Sequence, residues 1–217
     1  MEKTECFSCI IICNMETKRL EKENIEEVIK LLNLEEVVVF PTDTVFGAAI
    51  RYDSPLAMQR LKEAKQRPEN KPFPMMVGNK EQIFQVALVS EKAKKLIDAF
   101  MPGAITLVFK KKEEVDDRVT NGFATIAVRM PDDAWICEVI SKVGVPLLVP
   151  SANISFAPPC HTSDEVLEQL DGKVAAVVLG ESAGSLSSTI VDVTEEAFKI
   201  LREGPITSEQ ISAVWEA

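Results

Sequence analysis

Pro41 constrains the fold of this chain more than any other residue. Residues 37–40 read Val-Val-Val-Phe, a β-branched and aromatic run of the kind buried in a sheet. Proline has no N–H to donate to a ladder, so a central strand ends there. Thr42, Asp43 and Thr44 are thereby set just beyond a strand's C-terminal end, and Gly47 permits a turn or a close approach. Ligands collect outside the carboxyl ends of strands in α/β sheets, so 41–47 is a candidate binding edge. A solvated turn between two strands is the plain alternative.

The rest of the chain alternates strands and helices. Asn24 with Glu27 predicts a capping box, followed by a helical stripe at Ile25, Val28, Ile29 and Leu32. Ser54-Pro55, Ser90, Ser163 and Ser208 predict further helix starts. A helix from about Asp132 packs Trp135, Ile136, Val139 and Ile140 as core. Strands are expected at 36–40, 47–51, 74–77, 105–109, 125–129, 146–149, 174–179, 188–192 and 198–201, and a first strand at 7–13. Several strands follow one another directly, which implies a mixed sheet with helices, not a pure doubly wound one. Residues 110–118 and 180–187 read as loops.

Composition narrows the class. The 217 residues suit one domain over 1–217, and 46% hydrophobic with 27% charged residues is ordinary for a soluble globular protein. No apolar run approaches the ~18 residues of a membrane span, and 7–13 makes a poor signal peptide, so a cytoplasmic protein is expected. A net charge of −10 disfavours non-specific nucleic-acid binding by the whole surface, though not a local basic pocket. Five cysteines (Cys6, Cys9, Cys13, Cys137, Cys160) argue against a disulfide framework, and the first three read as small hydrophobes in a strand more readily than as metal ligands. His161 is the sole histidine, which excludes a multi-histidine metal site. Neither a Gly-x-Gly-x-x-Gly nor a Walker motif is present, so any nucleotide is held without a P-loop.

Polar strand ends recur: Thr42 to Thr44, the proline-stiffened cationic loop Lys65 to Lys71, Thr125 to Arg129, Ser151 to Asn153, and Ser188 to Arg202. Converged, they would line a concave site rich in cations and hydroxyls, with no covalent nucleophile and no histidine–aspartate base pair. Such a site suits a polyphosphate and a small anionic substrate, with catalysis by positioning and charge stabilisation.

The motifs Pro41-Thr-Asp-Thr-Val-Phe-Gly47, Lys65-x-Arg67 with Lys71-Pro72, Pro102-Gly103 with Thr106, Thr125-x-x-x-Arg129-x-Pro131, Ser151-Ala-Asn153, Ser188-Thr-Ile-Val-Asp192 and Leu201-Arg-x-Gly204 run in register over about residues 7–207. In these the chain resembles the threonylcarbamoyl-AMP synthases, the YrdC/Sua5/TsaC family, in their short single-domain form. The resemblance implies an α/β (α+β) fold, an open twisted mixed sheet with flanking helices around a large cavity. It implies a nucleotidyltransferase that makes threonylcarbamoyl-adenylate and pyrophosphate from L-threonine, bicarbonate or CO2, and ATP with Mg2+. A downstream transferase would use the product to modify an adenosine beside the anticodon of certain tRNAs.

By the same resemblance Thr44, Arg129 and Ser188 would serve L-threonine, with Arg129 on its carboxylate. Lys65, Arg67, Lys71 and Arg202 would hold ATP phosphates, Lys65 and Arg67 as the catalytic cations. Thr125, Ser151 and Asn153 would line the ATP side. No residue is assigned as a metal ligand; Asp43 and Asp192 read either as outer-shell partners or as structural carboxylates. The chain departs from the family pattern at Phe46, Met76, Ala104, Phe156 and His161, where Tyr, His, Pro, Gly and Thr are usual. Two other readings fit the motifs: a diverged nucleotide-binding paralogue acting on another small acceptor, and a non-catalytic module that holds RNA in the cavity.

Overall fold

The computed structural model describes residues 16–66, 72–182, 184 and 187–217. The elements in chain order are β1 (Lys18–Leu20), α1 (Ile25–Asn33), β2 (Val38–Phe40), β3 (Gly47–Arg51), α2 (Pro55–Lys65), β4 (Met75–Met76), α3 (Lys80–Val86), β5 (Ala87–Leu88), α4 (Glu91–Phe100), β6 (Ile105–Lys111), α5 (Asp117–Thr120), β7 (Thr125–Arg129), α6 (Ala134–Val143), β8 (Leu147–Leu148), α7 (Ser163–Leu170), β9 (Ala176–Val178), β10 (Thr189–Asp192), β11 (Lys199–Arg202) and α8 (Ser208–Glu216). The expected strand at 7–13, with Cys6, Cys9 and Cys13, lies outside the described residues, as do Arg67 and Lys71.

One mixed sheet runs in the order β1-β9-β2-β3-β8-β4-β7-β6-β10-β11, with β5 paired to β6. β1–β9, β2–β9, β4–β7 and β6–β10 are parallel; β2–β3, β3–β8, β4–β8, β6–β7 and β10–β11 are antiparallel. Side chains alternate across the sheet and divide the core. Val39 packs in a layer with Leu61, Leu96, Ile97, Val166, Leu170, Ile211 and Trp215, so α2, α4, α7 and α8 cover that face. Val38 and Phe40 face the opposite layer, with Val28, Leu32, Ile136 and Ile140 of α1 and α6.

Three details differ from the sequence reading. Asn24 precedes α1, but its side chain instead accepts the Glu21 N–H at 2.8 Å, closing a 3-10 turn, and Glu27 pairs with Lys18 at 2.6 Å. The caps of α7 and α8 are Thr162 and Thr207, one residue before the predicted serines. Each threonine stands three residues before a Glu or Gln that closes the box, a spacing the following serine lacks. Residues 110–118 are only partly a loop: β6 continues to Lys111, and Asp116 caps the short α5.

Candidate functional site

The strand end at Pro41 builds the first wall. The Thr42 hydroxyl donates to the Val45 carbonyl at 2.6 Å and accepts from the Thr44 N–H at 3.2 Å, so it staples the turn more than it offers itself to a ligand. The hairpin then returns as β3, antiparallel to β2. A Cβ on Gly47 would fall 2.5 Å from Val149 Cγ1, so the expected close approach is real and is made to the neighbouring strand end.

Arg129, at the end of β7, closes on this turn. Its Nε donates to the Gly103 carbonyl at 3.1 Å, one terminal nitrogen to Thr44 Oγ1 at 3.0 Å, and the other to Asp43 Oδ2 at 2.6 Å. The pair is deep: 5% of the Arg129 side chain and 17% of that of Asp43 are exposed. Burial pushes the Arg129 guanidinium down from its ordinary range, Asp43 opposes that, and the positive charge of Arg202 adds to it. Arginine remains protonated through such a shift. Three of its five N–H groups are used by these bonds, which leaves donors for an anion.

Further lining comes from β6, β10 and β11, the strands next to β7 in the sheet. Thr106 and Ser188 share a hydrogen bond of 2.8 Å, and Arg202 donates to the Ser188 carbonyl at 2.9 Å and to its hydroxyl at 3.2 Å. These walls enclose a cavity of about 440 Å³. Of the predicted site residues, Thr44, Arg129, Ser188, Thr125, Ser151 and Arg202 line it.

Lys65 and Asn153 stand behind that lining. Lys65 is 1% exposed, and its ammonium donates to the carbonyls of Ser151 and Asn153, the latter at 2.6 Å. The Asn153 amide in turn holds the carbonyls of Ile154 and Ala157, each at 2.8 Å. Both therefore organise the loop after β8. Of the two suggested outer-shell carboxylates, Asp43 pairs with Arg129, and Asp192 accepts the Thr194 N–H at 2.9 Å. Among the described residues no group of three or more His, Cys, Asp or Glu side chains is placed to hold a metal ion, and no helix is long and apolar enough to cross a membrane.

Sequence reasoning missed part of the lining. Thr120 enters from α5, inside a stretch whose charge pattern masks the one-turn helix. Phe73 and Pro159 also contribute wall, with no local signal beyond their neighbours. Met76 lines the cavity beside Arg129, its register partner on the parallel strand. Phe46 is fully buried in the same wall.

The Sua5/YciO/YrdC family model, described as telomere recombination, matches residues 30–204. The chain is 35% identical over 186 residues to a threonylcarbamoyl-AMP synthase of Vibrio campbellii, covering 84% of this chain and 100% of that protein. It is 37% identical over 187 residues to one from Bacillus subtilis, covering 85% of this chain but only 54% of that longer protein. Among solved structures, Pyrococcus abyssi Sua5 complexed with L-threonine superposes with a TM-score of 0.85 at 32% identity, over 91% of this chain and 60% of that one. Escherichia coli YciO superposes at 0.77 and 22% identity, over 88% of this chain and 95% of that one, a likeness of fold. With the mixed sheet, the cationic cavity and the motifs in one register, these matches make the chain a member of the Sua5/YciO/YrdC family.

Proposed function

We propose that the chain is an L-threonylcarbamoyladenylate synthase. The observation that carries this reading is that Arg129 and Arg202 line one hydroxyl-bearing cavity, in a chain that spans the whole of a relative named for that activity. Arg129, preset by Asp43 and Thr44, takes the carboxylate of L-threonine, and Ser188 the wall beside it. Arg202, with Arg67 and Lys71 from the cationic loop, pairs with the phosphates of ATP. Thr125 and Ser151 line the nucleotide side. Lys65 and Asn153 hold the Ser151 loop against the substrate.

The chemistry needs no protein nucleophile. The threonine amine and bicarbonate give a carbamate and water. A carbamate oxygen then attacks the α-phosphorus, and the bond to the bridging oxygen of pyrophosphate breaks. Cations offset the charge that develops on the leaving group. Mg2+ enters with the nucleotide as MgATP, as is usual where phosphates supply most of its ligands. A separate transferase, acting on tRNA, consumes the adenylate.

The test is pyrophosphate release from ATP and bicarbonate, with and without L-threonine. Threonine-dependent release is expected, falling about tenfold or more in Arg202→Ala through loss of a charge-assisted phosphate contact. Release indifferent to threonine would sink the substrate assignment. The apolar wall at Met76, beside the carboxylate anchor, favours one second reading, a paralogue acting on a different small acceptor, and that outcome would move the weight to it.

A further inference from the structure

Four neighbouring strands each place one residue in a row along the cavity. Leu107 pairs with Val128, so the next residues out, Thr106 on β6 and Arg129 on β7, lie side by side. Thr106 pairs in turn with Ile190 on β10, and Ile190 with Arg202 on β11. Residues opposed across a sheet share a face, and all four line the cavity. Strands lie about 4.8 Å apart, so the row runs roughly 14 Å from the Arg129 backbone to that of Arg202. Thr106 stands inside this row, buried and next to Arg129.

Its hydroxyl is tied to the Arg202 end. Thr106 Oγ1 and Ser188 Oγ lie 2.8 Å apart, and Arg202 donates to Ser188 Oγ at 3.2 Å. The two hydroxyls own two protons and share one bond, so whichever of them donates, one O–H is left over. Among the described residues that O–H has no other acceptor. A spare donor in a cavity wall flanked by two guanidinium groups suits the oxygen of an anion. The positive charge of Arg202 also bears on Arg129 and pushes it down, and an anion set between the two relieves that repulsion.

We infer that the Thr106–Ser188 hydroxyl pair seats the one-carbon anion of the reaction, bicarbonate first and the carbamate after it. The inference rests on the synthase reading. In the adenylate the carbamate carbon is bonded to the threonine nitrogen on one side and, through oxygen, to the α-phosphorus on the other. With the threonine carboxylate at Arg129 and the phosphates at Arg202, that carbon falls between the two, where the pair stands. The neutral amine attacks the bicarbonate carbon; the C–N bond forms, one C–O bond breaks, and the hydroxyl leaves as water with the amine proton. The leftover O–H holds one oxygen of the carbamate and turns the other toward phosphorus.

Pyrophosphate release by the full chain, with bicarbonate varied in CO2-depleted buffer at saturating ATP and L-threonine, tests the seat. Thr106→Val keeps the shape and removes the hydroxyl. It is expected to raise the bicarbonate concentration for half-maximal release about tenfold, the loss of one hydrogen bond to a charged group. The KM values of ATP and L-threonine are expected to stay within about twofold. Thr106→Ser is expected to behave as the native chain does. Ser188→Ala, which removes the other half of the pair, is expected to shift the same constant and serves where Thr106→Val does not fold. An unchanged bicarbonate dependence in these variants, or an equal rise for all three substrates, overturns the seat and leaves the synthase reading intact. A Thr106→Ser variant as impaired as Thr106→Val does the same. A native chain without threonine-dependent release overturns both.

Discussion

Cutting the Asp43–Arg129 pair tests the central claim about the site. Oδ2 of Asp43 lies 2.6 Å from the guanidinium, and the two side chains are 17% and 5% exposed. Unit charges about 4 Å apart at an effective dielectric near 20 interact by about 4 kcal/mol. Removing one partner of a buried pair ordinarily costs about 3–5 kcal/mol. Asp43 retains some solvent, and Arg129 keeps the Gly103 and Thr44 acceptors, so the lower end applies. Asp43→Ala is expected to cost about 3 kcal/mol, and Asp43→Asn, which keeps an acceptor, about 2 kcal/mol. For a chain of this size the alanine variant lowers Tm by roughly 6–12 °C. Urea denaturation of Asp43→Ala, Arg129→Met and the double variant isolates the coupling energy. A coupling below about 0.5 kcal/mol would be that of a surface pair and would refute the claim that Asp43 presets Arg129.

Two further outcomes follow from local geometry. A Cβ at Gly204 would lie 2.4 Å from Thr189 N, 2.6 Å from Ser187 O and 2.7 Å from Ser188 C. Because these are backbone atoms, Gly204→Ala is expected to cost about 3 kcal/mol and to displace Arg202 from Ser188, read as lower Tm together with weaker ATP binding; a native Tm would contradict it. The Cys160 thiol is buried and pushed up to about 11 by desolvation, with Glu165 adding to it. The folded chain thus favours the neutral thiol, so its contribution is intact below about pH 9 and is lost as pH rises through about 11. Native Cys160 should resist alkylation at pH 8.5 and react fully in urea; rapid native labelling would count against the burial.

The neighbourhood of each residue along the chain was enough to place most elements. Proline at 41 ends β2, serines at 54 and 90 cap α2 and α4, and the apolar stripes give α1, α6 and α8 their buried faces. Strands that follow one another directly implied the mixed sheet, and the motifs in register carried the family. These signals are readable because strand alternation, helical period and capping act over a few residues.

Other features depended on which segments the sheet brings together. Lys65 reads as a phosphate-seeking cation on a basic loop, yet its ammonium is buried against carbonyls 86 and 88 residues away. Asp43 reads as either an outer-shell or a structural carboxylate, and it becomes the partner of Arg129, 86 residues on. Phe156 reads as one departure among several until its left-handed backbone and exposure are seen together. In each case the side chain offers the same chemistry to many partners. Only the strand order, which brings residues of β3, β4, β6, β7, β10 and β11 to one cavity, selects the partner it meets and the solvent it loses.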